Sequence, residues 1–185
     1  MITLGRGADP ANLLASPTTL ADRKVELHES PRGGDITFHG PGQLIAYPVI
    51  GLGEGKRDVR AYVTNLEEVV IRTVADFGVE ARRVDGRRGV WVGNNKVAAI
   101  GVRISRWITS HGLALNVEPD LSFFDLIVPC GIRQGGVTSL ARLTGARIPM
   151  SEVEGRLVAH FSRLLGYDAV REVSVIPPPV VPTSA

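Results

Sequence analysis

With a single cysteine in 185 residues, the chain cannot form an internal disulfide. No apolar run is long enough to cross a bilayer, and no basic start leading into an apolar core points to a secretory signal. A cytoplasmic protein is therefore expected. Charge of one sign is lacking too. Lys and Arg number 21 against 19 Asp and Glu, a net charge of +2, and the basic residues are scattered. That balance argues against nucleic acid and only slightly in favour of an acidic protein partner. There is no CxxC, no HxxxH and no tight carboxylate cluster, so no metal site is expected. The phosphate-loop pattern GxxxxGK[ST] is missing, and GLGEGK at 51–56 does not fit GxGxxG, which weighs against a nucleotide-using reaction.

What is present reads as one globular domain over 1–185, with 44% apolar and 22% charged residues. No internal repeat and no linker divides it. MITLGR at the start looks like a strand running into a turn, residues 7–32 as a polar, turn-rich surface crossing, and Val25 and Leu27 as a short strand. Leu44 to Ile50 reads as a strand, with Pro48 placing it at an edge or bulge. Arg57 to Phe77 is the clearest helix: Val59, Tyr62, Val63, Leu66, Val69, Val70, Val74 and Phe77 follow a buried-face spacing between an Asp58 cap and Gly78. Val79 to Val84, Gly89 to Val92, Lys96 to Ile104 and Ile108 to Val117 read as strands. Asp120 caps a short turn or helix, and Thr138 or Ser139 a short helix ending near Gly145. Ser151 and Glu154 fit a capping box for a helix ending at Gly166. The proline-rich tail, 176–185, is expected to be mobile. The pattern is α/β (α+β): a mixed β-sheet flanked by helices on one side.

The stretch RGGDITFHGPGQL, Arg32 to Leu44, places four glycines among strand-like residues. Such glycines mark a bulge or a place where something approaches the backbone closely; a glycine-rich hairpin with no ligand fits equally well. Cys130, between a proline and a glycine, is either a small buried hydrophobe or a nucleophile. Lys96 opens an apolar strand after the turn GNN, where a lysine is ordinarily a solvated surface charge. If it lies beside Cys130, two opposite charges about 4 Å apart at an effective dielectric of about 20 attract by about 4 kcal/mol. That is enough to bring a thiol from about 8.5 to below neutrality. His39 and His111 each adjoin a glycine, in FHG and SHG, and are ordinarily structural histidines.

Five blocks, RGGDITFHGPGQL, GVWVGNNKVAAIGVRI, HGLALNV, DLSFFDLIVPCGI and GVTSL, occur in this order. Together they resemble the lipoyl(octanoyl) transferase family, from about Ile2 to about Leu165. The resemblance implies the biotin/lipoyl protein ligase-like fold and transfer of an octanoyl group from octanoyl-acyl carrier protein. The acceptors it implies are lysines on the lipoyl domains of 2-oxoacid dehydrogenases and on the glycine cleavage H protein, with no cofactor. It implies an acyl-thioester on Cys130 tuned by Lys96. It further implies a substrate site formed by Arg32, Gly33, Gly34, Asp35, Ile36, Thr37, Phe38 and His39, with Ala99, Ile100, Gly101, Gly112, Leu113 and Ala114. Family members carry a helix and a strand ahead of ITLGR, so a longer native chain is expected, as is a sheet lacking an edge strand in the present one. A monomer without nucleic-acid or membrane contacts is expected.

A thioester is already activated, so its transfer to an amine needs no ATP. Ile100, Leu113 and Phe38 are expected to wall the acyl tail. Burying about six methylenes at about 0.8 kcal/mol each would contribute about 5 kcal/mol. Valine at Gly101 or Gly112 is expected to block that tail while the fold survives. The rival readings are an ATP-dependent lipoate–protein ligase of the same fold and a non-catalytic acyl-carrier or lipoyl-domain binding module.

Overall fold

The described residues, 1–129 and 135–173 of this computed structural model, hold nine strands in two sheets and four α-helices. β1 (Ile2–Leu4), β2 (Leu27–Glu29) and β3 (Ile36–Phe38) form a small sheet in the order β2-β1-β3, with β1 parallel to β2 and antiparallel to β3. β4 (Gln43–Ala46), β5 (Arg82–Val84), β6 (Arg87–Val92), β7 (Asn95–Ser105) and β8 (Ile108–Asn116) form the larger, antiparallel one in the order β4-β8-β7-β6-β5. β9 (Gly136–Val137) joins β7 in parallel, which makes this sheet mixed. The helices are α1 (Pro17–Asp22), α2 (Val59–Ala75), α3 (Leu140–Thr144) and α4 (Met150–Leu165).

The β7–β8 hairpin is the backbone of the molecule, paired from Ala98↔Leu115 to Ser105↔Ile108. Its two-residue turn puts Arg106 and Trp107 at φ 50° and 60°. This left-handed pair matches the twist of the strands, although for L-residues it costs about 1–2 kcal/mol each. Alternation along the hairpin sends Ala98, Ile100, Val102, Leu113 and Leu115 to one face, where they pack with Leu66, Val69, Val70 and Val74 of α2 and Val153 and Leu157 of α4. Each fully buried aliphatic there contributes about 1.5–3 kcal/mol. α2 forms because its apolar residues recur on one side, and because Asp58 Oδ1 accepts hydrogen bonds from the Arg60 and Ala61 amides at 2.8 and 3.0 Å. A second core, around Ile2, Ile36, Phe38, Phe124 and Ile127, lies under the small sheet.

Four sequence expectations change. α4 begins at Met150, and the Glu152 and Val153 amides bond back to the Pro149 carbonyl, so Ser151 is already inside the first turn and caps nothing. The strand expected over Leu44 to Ile50 stops at Ala46, because Pro48 has no N–H to donate to a ladder. The strand expected from Val79 begins only at Arg82, since the Val79 amide instead bonds the Val74 carbonyl at the end of α2. The surface crossing at 7–32 contains α1, capped by Ser16 with Pro17 in the first position. The proline-rich tail expected at 176–185 lies outside the described residues. No helix among the described residues is long and apolar enough to cross a membrane.

A candidate active-site cleft on the open face of the sheet

The face of β7–β8 turned away from the helices carries almost no side-chain bulk. Ala99 pairs with Ala114 and Gly101 with Gly112, making a flat four-residue floor. Arg32, Gly34, Asp35, Thr37 and His39 stand along one side of this floor, and Tyr47 closes part of the other. Most of the predicted substrate residues are thus brought together, but three are not lining groups. Gly33 donates to the Val102 carbonyl at 2.8 Å and so straps the glycine-rich stretch to β7. Ile36 and Phe38 alternate into the second core, where Phe38 stacks on Phe123 at 4.9 Å between centroids. Ile100 and Leu113 contribute to the cleft, but they pack in the helix-side core. Of the walls expected from Ile100, Leu113 and Phe38, the first two thus border the cleft and Phe38 does not, while alanine and glycine form its floor.

At the other end the cleft runs into a narrow recess lined by Lys96, Asn116, Gln43 and Pro129. Thr37, Ala99 and Ala114 border both spaces. Lys96 is only 4% exposed, which removes the reading of it as a solvated surface charge. Its Nζ sits 5.0 Å from the Trp91 ring centroid, an arrangement that favours a cation. Gly89 makes room for the stem: a Cβ there would lie 3.3 Å from Lys96 Cε, and φ of 107° already disfavours any other residue. A polar chain holds the recess together. Gln43 Nε2 donates to Asn116 Oδ1 at 2.8 Å, Asn116 Nδ2 to the Thr138 carbonyl at 3.0 Å, and the Thr138 amide to the Lys96 carbonyl at 2.9 Å. Cys130 follows Pro129 in the chain and lies outside the described residues.

Arg32 and Asp35 have structural work to do as well. Arg32 is 7% exposed. Its Nη2 donates to the Thr3 carbonyl at 2.8 Å and to Thr3 Oγ1 at 2.9 Å, and its Nη1 donates to the Gly33 carbonyl at 3.1 Å. The Asp35 carboxylate accepts from Asn12 Nδ2, the Asp9 amide and its neighbour's amide at Ile36, which pins the 9–12 turn. Burial, reinforced by the Arg32 charge and opposed by a contact with Gln43, pushes His39 down to about 4. His39 Nδ1 is buried without a hydrogen-bond partner among the described residues. His111 is also lowered, by burial first and then by Arg32 and Arg103. Both imidazoles are therefore neutral at pH 7.

This has a consequence for stability. An unfolded histidine titrates near 6.5 and binds a proton that the folded His39 refuses until about pH 4. The His39 contribution is thus fully present above about pH 6.5 and is lost as pH falls toward 4. Denaturant unfolding at pH 7 and pH 5 should show a loss of about 2 kcal/mol from this group. His39→Gln should remove most of that pH-dependent difference; an unchanged difference would place the proton uptake elsewhere.

Tyr47 escaped the sequence reading. Nothing in AYPVI marks it, and its place depends on the chain doubling back after β4. Its ring meets the His111 ring edge-on, 5.5 Å between centroids and 70° between planes.

Comparison with known proteins agrees with this architecture. A solved lipoate-protein ligase A bound with ATP superposes with a TM-score of 0.77 at 18% identity, covering 95% of this chain and 72% of that one. A biotin protein ligase from Aquifex aeolicus in complex with biotin and ATP gives 0.54 at 17% identity, over 68% of this chain and 50% of that one. The fold is that of the biotin and lipoyl protein ligases. In sequence, the chain matches the profile of the lipoyl protein ligase A/B catalytic domain over residues 1–162, and it belongs to that family. It is 49% identical over 175 residues to an octanoyltransferase of Solibacter usitatus, covering 95% of this chain and 79% of that protein. It is 52% identical over 166 residues to one of Rubrobacter xylanophilus, covering 89% and 74%. With such relatives over most of its length, the chain is an enzyme of the transferase class.

Proposed function

We propose that this protein moves an octanoyl group from octanoyl-acyl carrier protein to a lysine of a lipoyl-domain protein, through a thioester on Cys130. The observation that carries the reading is the burial of Lys96 in a recess shared with Pro129, the residue that precedes Cys130. This recess opens onto a floor of Ala99, Gly101, Gly112 and Ala114. A smooth, apolar, glycine-lined floor suits an unbranched acyl chain. A buried ammonium suits a thiolate, whose attack on the donor thioester expels the donor's thiol and leaves an acyl-enzyme. The acceptor amine then attacks that carbonyl, loses a proton as the amide forms, and returns Cys130 as a thiolate. The chemistry needs a reduced thiol, in keeping with a cytoplasmic site of action. Acceptors would be lipoyl domains such as those of 2-oxoacid dehydrogenases and the glycine cleavage H protein.

Incubation with octanoyl-acyl carrier protein in the absence of nucleotide is expected to add one acyl group, mapped to Cys130 by peptide mass spectrometry. Adding a lipoyl domain should discharge it. Transfer that requires ATP would favour the ligase reading, and failure to acylate at all would favour a binding module.

A further inference from the structure

Lys96 reaches the recess only because β7 is irregular. Ile100 and Ala98 face the helices, and by strict alternation Lys96, two residues before Ala98, would face them too. Instead the consecutive residues Val97 and Ala98 both pack in the helix-side core, and Lys96 lines the recess with Ala99. The pairing shows how. Val90 faces Ala98 and Trp91 faces Lys96, so one step of β6 spans two of β7. A bulge of this kind re-aims a side chain to the other face.

β6 is irregular at the same level. Trp91 pairs with Arg82 and Arg87 with Val84, so four steps of β6 face two of β5. Gly89 lies within this excess, at φ 107°. Its backbone sits against both parts of the bulge: a Cβ there would lie 2.5 Å from the Ala98 carbonyl oxygen and 3.3 Å from Lys96 Cε. What holds Gly89 comes from the helix layer. Its amide donates to Glu67 Oε1 of α2 at 3.0 Å.

Glu67 is 5% exposed and is the one charged side chain among the buried residues of α2. Burying a carboxylate is costly unless hydrogen bonds meet it. An ion pair alone is a weak reason for it to be there. Glu67 Oε2 lies 3.4 Å from Arg83 Nε, whereas the neighbouring Glu68 already holds Arg83 Nη2 at 2.6 Å. The buried Gly89 amide is the shorter of the two Glu67 contacts.

We propose that Glu67 is a positioning residue for Lys96. Through the Gly89 amide it fixes the double irregularity of β6 and β7 that turns the ammonium out of the helix-side core, over Trp91 and into the recess. Resting on the acyl-transfer reading above, this role reaches the chemistry from the opposite face of the sheet, and Glu67 touches no substrate.

The test is a double-mutant cycle on Glu67 and Lys96, read well below each variant's melting temperature. Glu67→Met fills the same space without an acceptor. Glu67→Asp keeps the charge but falls short of the amide by one methylene, and Glu67→Gln keeps the acceptor. One readout is single-turnover acylation of Cys130 by octanoyl-acyl carrier protein. The other is Trp91 fluorescence in a Trp107→Phe background, where Trp91 is the sole tryptophan. It reports the ammonium 5.0 Å from the ring centroid, and Lys96→Met gives the size of the change when that charge is lost.

A misplacement of about 1 Å costs about 100-fold in rate. Glu67→Met and Glu67→Asp should therefore lower acylation about 100-fold and shift Trp91 emission toward that of Lys96→Met, while Glu67→Gln restores most of the rate. Once Lys96 is methionine, Glu67→Met should add no further change in either readout, because the two residues act as one unit. Losses that multiply in the double variant, or an emission change that persists in it, reduce Glu67 to a structural residue and overturn the proposal. So does wild-type acylation in Glu67→Met or Glu67→Asp, or a Glu67→Gln as slow as Glu67→Met. The emission cycle separates this role from the reaction. If the wild type transfers no acyl group but the emission changes are still coupled, the positioning stands and the transferase reading falls.

Discussion

Lys96→Met should lower both half-reactions, acylation of Cys130 and transfer to the acceptor lysine, by about two to four orders of magnitude. Methionine keeps similar bulk in the Trp91–Gly89 niche without the charge, so the melting temperature should change little beside the loss of activity. Lys96→Arg separates two roles. Arginine holds the positive charge but cannot practically give up a proton. It should keep part of the acylation step, where an ion pair with the thiolate suffices, and lose most of the transfer step, where the attacking amine must be relieved of a proton. Single-turnover acylation, followed by a chase with a lipoyl domain, measures the steps separately. If Lys96→Met acylates and transfers at the wild-type rate, the buried ammonium has no part in the chemistry.

The second large effect is expected at Gly112, and it differs from what its sequence neighbourhood suggests. A Cβ on Gly112 would overlap the Ala46 carbonyl oxygen and lie 2.7 Å from Pro48 Cδ. Neither atom is the free end of a flexible side chain. Gly112→Val should therefore destabilise the protein by at least about 3 kcal/mol, lowering Tm by about 10 °C in a chain of this size. The fold is not expected to survive unharmed while only the acyl tail is blocked. Gly101 is more forgiving: its Cβ would meet the Gly33 carbonyl at 3.1 Å and Arg32 Cδ at 3.2 Å. Gly101→Ala should leave Tm within a few degrees and shift acylation toward shorter chains. Equal melting temperatures for Gly112→Val and wild type would show that the chain after β4 yields more readily than the geometry implies.

These two glycines mark the boundary of what could be read from the residues. That both line one cleft agrees with the blocks they sit in. Which of them supports the fold was not legible, because the approach of Ala46 to Gly112 is made by a distant part of the chain. α2 was legible because eight apolar residues repeat at helical spacing, and the β7–β8 hairpin because two apolar runs flank a short turn. β2, Leu27–Glu29, was expected as a short strand around Val25 and Leu27, but it is exposed along its whole length, so its bounds carried no pattern to read. α1 did carry a signal, Ser16 before Pro17, but six residues are too few for a periodicity. Lys96 was the hardest to judge, since charge alone argues for the surface and the Gly89 and Trp91 niche that receives its stem is built by other parts of the chain. Ile100 and Leu113 were expected at the cleft, which they border, but their part in the helix-side core was not foreseen, because it depends on how α2 and α4 pack on the sheet.

The two-residue period of a strand has a bearing on how the protein can change over time. Along β7 and β8, adjacent residues answer to different demands: one to the helices, the next to the cleft. Ala99 and Ala114 lie on the face away from α2, and changes beneath α2 leave the floor level. Cleft shape and thermal robustness are thus inherited through different positions on the same two strands, except at Gly112, where the two meet. A lineage can drift in one while selection holds the other still.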